Sequence, residues 1–150
     1  MTNPNLKPSQ RVSVVGVVNP QSASSVQTSG WIDATTFHNY LAVIKVGAIG
    51  SSATVDGKIE QATSSGGAGA KDVTGKAITQ LTKAGTDDNK QVLINLKQED
   101  LDFNNGFKFF RLSITPATAA SLIDGTVLGF DPRYDFATDN DATTVDEVVG

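Results

Sequence analysis

The sequence predicts an all-β protein, specifically a jelly-roll-like two-sheet β-sandwich of about eight strands. Short apolar runs alternate with turns rich in Gly, Ser, Thr and Asn from Val12 to Phe130. The runs recur roughly every 8–15 residues, a spacing typical of sandwiches and barrels. A doubly wound α/β fold would need amphipathic helices of about ten or more residues between strands, and the sequence contains no such pattern.

The first half of the chain contains four predicted strands. Residues 11–18 form a β-rich run that ends at the turn signal Asn19-Pro20. Residues 26–33 alternate in polarity, and residues 39–47 carry apolar side chains on both faces, which predicts a central strand. Residues 52–62 place Val55 and Ile59 on one face and charged side chains on the other, which is typical of a strand with one face in water.

The second half begins with a Gly- and Ser-rich segment at residues 63–70, which favours no regular element and predicts a mobile loop. Asn105-Gly106 tolerates the positive φ angles of a type I′ turn and predicts a hairpin there. Further strands are predicted at residues 76–82, 91–97, 107–115 and 126–131, and single helical turns at residues 98–101 and 118–123.

The predicted core consists of apolar side chains at alternate positions of the strands, which face the same side of the sheet. Burial of such side chains is the main favourable contribution to folding. The set comprises Val14, Trp31, Ile44, Val46, Val55, Ile59, Val92, Ile94, Leu96, Phe110, Leu112, Ile114 and Phe130.

Length and charge predict one globular domain with two distinct ends. We expect an extended N-terminal arm at residues 1–10, held open by Pro4 and Pro8, a sandwich at 11–137 and an acidic tail at 138–150. Lys and Arg balance Asp and Glu through Ala137, so the tail carries the whole formal charge of −4. We expect the tail to be solvated, with a strap that docks on contact as the alternative.

The same features argue against nucleic acid and membrane partners. Nucleic-acid binding requires a concentrated basic face, and the body of this chain is neutral. The N-terminal residues lack the apolar region of a secretory signal. The apolar run at residues 41–44 ends at Lys45 and is far shorter than the roughly 20 residues of a membrane span.

Several motifs approach a chemical site without completing one. Residues 69–76 (GAKDVTGK) resemble a phosphate loop, but the glycine spacing is too long and Ala77 stands where a hydroxyl is needed. Residues 100–106 resemble a calcium loop, but Arg111 occupies the position of the bidentate Glu. A weak calcium site at residues 100–106 or at residues 87–89 is kept as an alternative.

The chain contains no cysteine, and its single histidine, His38, has no Gly-x-Ser-x-Gly elbow to accompany it. We therefore expect no catalytic, cofactor-binding or metal-binding residues and no enzymatic activity. Trp31 is expected in the core, with sugar stacking as the alternative. Phe107 and Phe109 share a strand face with Arg111, which makes an exposed aromatic pair and a candidate interface.

Three segments carry a resemblance to small structural proteins of tailed-phage and prophage virions. They are SGWID at residues 29–33, VIKVGAIG at 43–50 and ATVDGKIEQAT at 53–63. The resemblance continues through residues 67–72 and 75–81 and ends at LGFDPRY, residues 128–134; it does not include the arm or the tail. It implies a non-enzymatic protein of the phage particle, with head decoration (cement) first and a neck or tail component second.

The leading functional hypothesis is thus a late phage protein that is made in the host bacterial cytoplasm and binds the surface of the assembled capsid. Its expected partners are the major capsid protein and copies of itself, as a dimer or trimer, with the N-terminal arm reaching a neighbour. The alternative from another class is a carbohydrate-binding or host-adhesion module that uses Trp31 or Tyr134 as a stacking platform.

Overall fold

The computed structural model describes residues 5–150 and consists mainly of antiparallel strands in two sheets. The strands are β1 (Val12–Ala23), β2 (Gln27–Thr28), β3 (Ile32–Asp33), β4 (Phe37–Val46), β5 (Thr54–Ala62), β6 (Lys71–Ala77), β7 (Leu81–Thr82), β8 (Gln91–Lys97), β9 (Phe109–Ala117) and β10 (Ser121–Pro132). The helical elements are α1 (Pro8–Arg11) and 3-10 turns at Gln98–Asp100, Phe103–Asn105 and Ala137–Asn140.

The strand order is that of a jelly roll. The four-stranded sheet has the order β1-β10-β4-β8. In the six-stranded sheet β2 and β3 both pair with β9, and β6 and β7 both pair with β5. Each short pair therefore acts as one interrupted strand, which leaves the eight strands and two Greek keys of a jelly roll. The all-β sandwich prediction is confirmed.

The core lies between the two sheets and is formed by alternate residues of every long strand. Phe37, Ile44, Val55, Phe110 and Leu112 are completely buried there. Gly129 of β10 packs directly against the Phe37 ring, since a Cβ at this position would lie 2.7 Å from Cδ2 of that ring. The core prediction is confirmed for nine residues: Ile44, Val46, Val55, Ile59, Ile94, Leu96, Phe110, Leu112 and Ile114.

Four residues predicted in the core are only half-buried. Val14 and Phe130 lie on the outer face of the four-stranded sheet, because the register pairs them with Leu128 and Asn39 on that face. Trp31 precedes β3 at the outer surface of the six-stranded sheet, and Val92 faces inward at the end of an edge strand. Val14 was misassigned because a bulge between Val14 and Gly16 changes the alternation in β1. Phe130 lies in β10, where Ile123 and Val127 face the core and the even-numbered residues therefore face outward.

Several predicted strand boundaries are wrong for identifiable reasons. β1 continues through Asn19-Pro20 to Ala23, with register shifts at Val14/Gly16 and Val18/Gln21, because an edge strand tolerates bulges and proline. The predicted strand at 26–33 is split by Ser29-Gly30. The predicted strand at 76–82 is instead β6, which begins at Lys71, followed by the short β7.

The local turn predictions had mixed outcomes. The helical turn at 98–101 is confirmed by the 3-10 turn Gln98–Asp100, whereas β10 replaces the turn predicted at 118–123. The prediction of a hairpin at Asn105-Gly106 is wrong. β8 and β9 belong to different sheets, and the chain crosses from one sheet to the other at this point. Gly106 instead ends a 3-10 turn in the left-handed region, at φ 85°, a conformation that glycine adopts without strain.

Residues 8–10 of the predicted N-terminal arm are helical and not extended. Residues 1–4 lie outside the described part of the chain, and the extended-arm prediction for them stays a prediction. Residues Pro8–Arg11 form one helical turn, which Pro8 at its first position favours because its φ is already helical. This turn packs against the 3-10 turn Ala137–Asn140 near the other terminus.

Candidate interaction surfaces

The outer face of the four-stranded sheet carries an apolar stripe that crosses all four strands. Directly paired residues of antiparallel strands share a face, so the register groups side chains into rows. One row contains Val17, Thr126, Val43 and Leu93, and the next contains Val14, Leu128, Leu41 and Asn95. We call Val14, Val17, Leu41, Val43, Leu93 and Leu128 the apolar stripe; all are half-buried except Leu93, which is 59% exposed.

Polar groups border the apolar stripe on both sides. On one side Lys45 Nζ lies 3.3 Å from Asp124 Oδ2 across the β4–β10 pair. On the other side Asn39 Nδ2 donates to Asp131 Oδ2 at 3.1 Å. A shallow depression of about 520 Å³, lined among others by Lys45, Asn89 and Leu122, lies at the first border. An apolar centre with a polar rim is the usual anatomy of a protein–protein contact surface.

One edge of this sheet, β1, is covered by the C-terminal segment. Asp141 Oδ1 accepts hydrogen bonds from Ser13 Oγ at 2.7 Å and from the Val14 N–H at 3.0 Å. The Ala142 N–H donates to the Val14 carbonyl at 2.7 Å. The segment thus satisfies the outward backbone groups of β1 next to its bulge, as a docked strap does. Asp139, Asp146 and Glu147 of the same segment remain exposed.

The opposite edge, β8, is regular and unpaired. Val46 lies opposite Lys90 at the start of β8, and the Val46 N–H donates to the Lys90 carbonyl at 3.0 Å. This bond identifies the two residues as a hydrogen-bonded pair of the antiparallel ladder. Alternation then directs the backbone N–H and C=O groups of Gln91, Leu93 and Asn95 away from β4. Within residues 5–150, β4 is the only strand that pairs with β8.

Both ends of the open β8 edge are closed by local hydrogen bonds. At its start the Asn89 N–H donates to the Gly47 carbonyl at 3.1 Å. At its end the Lys97 N–H donates to Asp100 Oδ2 at 2.8 Å. The free backbone groups are therefore confined to residues 91–95, which are centred on Leu93. Leu93 is also the most exposed large apolar side chain in any described strand.

The loop that leads into β8 is held by two carboxylates. Asp87 accepts the Thr82 N–H at 2.9 Å and pairs with Lys90, and these contacts lower the pKa of its carboxyl group. Asp88 pairs with Lys83 at 2.7 Å and accepts the Ile49 N–H, which lowers its pKa likewise. Since each carboxylate is already engaged by amino and amide groups, the acidic pair at 87–88 supports the loop.

The outer face of the six-stranded sheet is organised around Trp31. The Arg111 guanidinium lies 4.4 Å from the indole centroid, and its Nε donates to Glu60 Oε1 at 2.9 Å. Gly67, at φ 85°, also packs against the ring, since a Cβ there would lie 2.6 Å from the indole Nε1. Trp31 is half-buried and is contacted by Arg111 and Gly67 of its own chain, which weakens its assignment as a sugar-stacking platform.

The Gly-rich loop at residues 63–70 lacks regular structure, as expected, but is closed by hydrogen bonds. The Thr63 N–H donates to the Ala68 carbonyl at 2.9 Å, and Ser64 Oγ accepts the Gly66 and Ala68 N–H groups. Together with the Trp31 contact, these bonds give the loop a defined shape. Its role in the fold is to cover the indole ring.

The predicted aromatic pair of Phe107 and Phe109 is half-buried. Lys71 Nζ lies 4.1 Å from the Phe107 ring centroid and 2.8 Å from Asp102 Oδ2. The Lys71 ammonium group and the Asn105 amide lower the pKa of the Asp102 carboxyl group. A basic side chain therefore already occupies the Phe107 face, so the four-stranded sheet offers the wider apolar surface.

The residues considered for chemistry are not brought together. Asp100 accepts the Lys97 N–H and pairs with Lys76 at 3.3 Å, and Asp102 is bound by Lys71 and Asn105. No cluster of three or more potential metal-ligating side chains occurs in the described chain. His38 is exposed near the start of β4. Sequence reasoning missed the β8 edge; it gave a docking strap only as the alternative for the tail and did not identify Asp141 as the residue that binds β1.

Comparison with known proteins adds no family. No protein-family model matches this chain, and a comparison with curated proteins gives no significant match. The helices of residues 5–150 are all too short to cross a bilayer.

Proposed function

We propose that this chain is a structural protein of a tailed-phage particle, a decoration (cement) protein that binds the outer surface of the assembled capsid. The observation that best supports this role is the apolar stripe, which crosses the whole four-stranded sheet and has a polar rim on both sides. The resemblance of residues 26–134 to small virion proteins supplies the class of partner. The major capsid protein is the proposed partner, and the capsid surface is the proposed location.

The proposed mechanism is stabilisation by selective binding. A protein that binds the assembled lattice but not free subunits shifts the assembly equilibrium towards the lattice. Contacts with several neighbouring subunits increase this effect, because the second contact forms at a high effective concentration. A rigid sandwich suits this task, since little conformational entropy is lost when its preformed face binds.

Mass spectrometry of purified particles of the encoding phage tests the role. We expect the copy number per particle to be in the hundreds, comparable to that of the major capsid protein. About a dozen copies or fewer would instead indicate a neck or tail component, the second candidate role. A particle that lacks the chain altogether would refute both roles.

A binding assay tests the surface separately from the role. Heads purified from a phage with this gene deleted are mixed with added protein, and bound protein is measured by co-sedimentation. Val43→Lys, in the centre of the apolar stripe, is expected to reduce occupancy at least tenfold. Thr28→Lys on the exposed edge of the six-stranded sheet is the matched control and should bind as the unmodified chain does. Equal binding by the two variants would exclude the stripe as the contact surface.

The carbohydrate-binding alternative now depends on Tyr134, whose side chain is 75% exposed. A platform of this kind needs an accessible aromatic face, and Tyr134 is far more exposed than the half-buried Trp31, which Arg111 already contacts. A glycan array with the purified protein tests this function. Binding that is lost in Tyr134→Ala would favour it over the virion role, and an array without signal would remove it.

A further inference from the structure

We propose that two copies of this chain pair through their β8 edges. The strands would run antiparallel about a two-fold axis at Leu93 and join two four-stranded sheets into one continuous eight-stranded sheet. This inference rests on the geometry of the edge alone and does not depend on the virion role.

The free backbone groups of β8 match those of a second β8. With Leu93 opposite its own copy, Gln91 lies opposite Asn95, and these are the residues whose N–H and C=O groups point outward. Each hydrogen-bonded pair of residues in antiparallel strands exchanges two N–H···O bonds. The pairs Gln91–Asn95, Leu93–Leu93 and Asn95–Gln91 would therefore form about six hydrogen bonds between the two copies. All the outward backbone groups at residues 91–95 would then be satisfied.

The ends of the edge select this register over its neighbour. An axis at Ile94 would place Lys97 opposite Gln91 and would require the Lys97 N–H, which already donates to Asp100 Oδ2. An axis at Leu93 uses only residues 91–95 and leaves that hydrogen bond intact. At the other end the Asn89 N–H donates to the Gly47 carbonyl on the β4 side, so it is not available to a partner strand.

The side chains also favour a second copy as the occupant. On the outer face the two Leu93 side chains would meet at the axis, and each Gln91 amide would face an Asn95 amide. On the inner face Val92, now only half-buried, would lie opposite the partner's Ile94. No like charges oppose each other directly, because Lys97 would lie opposite Asn89 and Lys90 opposite Leu96. The two apolar stripes would become continuous across the axis.

Nothing in β8 prevents such pairing. Natural edge strands avoid association with proline, bulges, inward-facing charges or a covering segment. Residues 91–95 of β8 contain none of the first three. Within the described chain β6 of the other sheet contacts β8 without pairing with it, and no strand pairs with the open edge. The β1 edge of the same sheet has two bulges and the Asp141 strap. The fold thus blocks strand addition at β1 and leaves the backbone groups of β8 accessible, which favours β8 as the edge that pairs.

Sedimentation equilibrium of the purified full-length chain tests the proposal. We expect a dimer, and we expect Leu93→Lys to raise its dissociation constant at least about 100-fold, because two ammonium groups would meet at the axis. Leu122→Lys is the matched control, since Leu122 is an exposed leucine of the same sheet on β10 and should leave the dimer unchanged. A monomer at all concentrations, or equal loss of the dimer in both variants, would overturn the proposal.

Cysteine cross-linking provides a second measurement that does not depend on how Leu93→Lys folds. The chain has no cysteine, so Leu93→Cys introduces one thiol at the proposed axis. Paired strands place such residues about 5.5 Å apart at Cα, within the range of a disulfide. We expect mild oxidation to give a covalent dimer much faster for Leu93→Cys than for Leu122→Cys. Equal rates would refute the edge pairing and would leave the virion role, tested on particles, unaffected.

Discussion

The two edges of the four-stranded sheet differ in how their outward backbone groups are satisfied. At β1 the carboxylate of Asp141 and the N–H of Ala142 bind the N–H and C=O of Val14, next to a bulge. At β8 the corresponding groups of Gln91, Leu93 and Asn95 have no strand partner within the described residues. One edge is closed by a segment about 130 positions away in the sequence, and the other is left regular and open.

This difference shows that the C-terminal segment has a structural role at β1 that its acidic composition does not suggest. The alternation of exposed and buried residues in β8 resembles that of any half-buried strand, and only the sheet order makes it an edge. An open, flat edge is a site for strand addition. The contrast can be tested by changing each edge separately.

The largest effect is expected from a proline substitution in β8. The N–H groups of this strand point alternately towards β4 and towards the open edge, so the cost of proline should depend on which of the two it removes. Ile94→Pro removes an N–H that bonds to β4 and should lower the free energy of unfolding by about 3 kcal/mol or more. Leu93→Pro removes an outward N–H and should cost less than half as much. Urea unfolding at low protein concentration measures both. Ile94→Ala separates the loss of the side chain from that of the hydrogen bond, and equal costs for the two prolines would contradict the assigned alternation.

Removal of residues 141–150 should have the next largest effect. Truncation after Asn140 deletes both partners of Val14 and opens β1, and we expect a loss of about 2–4 kcal/mol of unfolding free energy. Amide hydrogen exchange should accelerate at Val14 while the amides of β8 that bond to β4 keep their relative protection. Unchanged exchange at Val14 would show that the strap does not close this edge.

A single substitution, Asp141→Ala, tests the carboxylate within the strap. It leaves the Val14 N–H and the completely buried Ser13 hydroxyl without an acceptor, which should cost about 1–3 kcal/mol. Asp139→Ala, an exposed acid two residues earlier, should change stability by less than about 0.5 kcal/mol. Thermal or urea unfolding distinguishes the two, and similar values would reduce the role of Asp141 to that of a surface charge.

The smallest effect is expected from acid at the loop that leads into β8. The contacts of Asp87 with the Thr82 N–H and Lys90 lower its pKa below the ordinary value of 3.8. The stabilisation is therefore complete above that value and is lost as the pH falls through the lowered folded-state pKa. Asp87→Asn should reduce the slope of unfolding free energy against pH below about pH 4. Identical slopes for the variant and the unmodified chain would contradict this contribution.

The fold class was predictable from sequence because strand alternation is a local property with a period of two residues. Val55, Ile59, Phe110, Leu112 and Ile114 were placed in the core on this basis and are buried there. The 3-10 turn at Gln98–Asp100 was also predictable. The bulge in β1 was not, so Val14 was assigned to the wrong face.

The sequence by itself determined roughly where most strands lie, which side of most strands is apolar and that the chain is an all-β sandwich. Only the tertiary structure decided which strands are edges, that Asp141 closes β1 and that Arg111 and Gly67 contact Trp31. These contacts join residues far apart in the chain, and no local pattern encodes them. Hydrogen bonding at a sheet edge depends on which segments meet there, and that is settled only when the two sheets assemble.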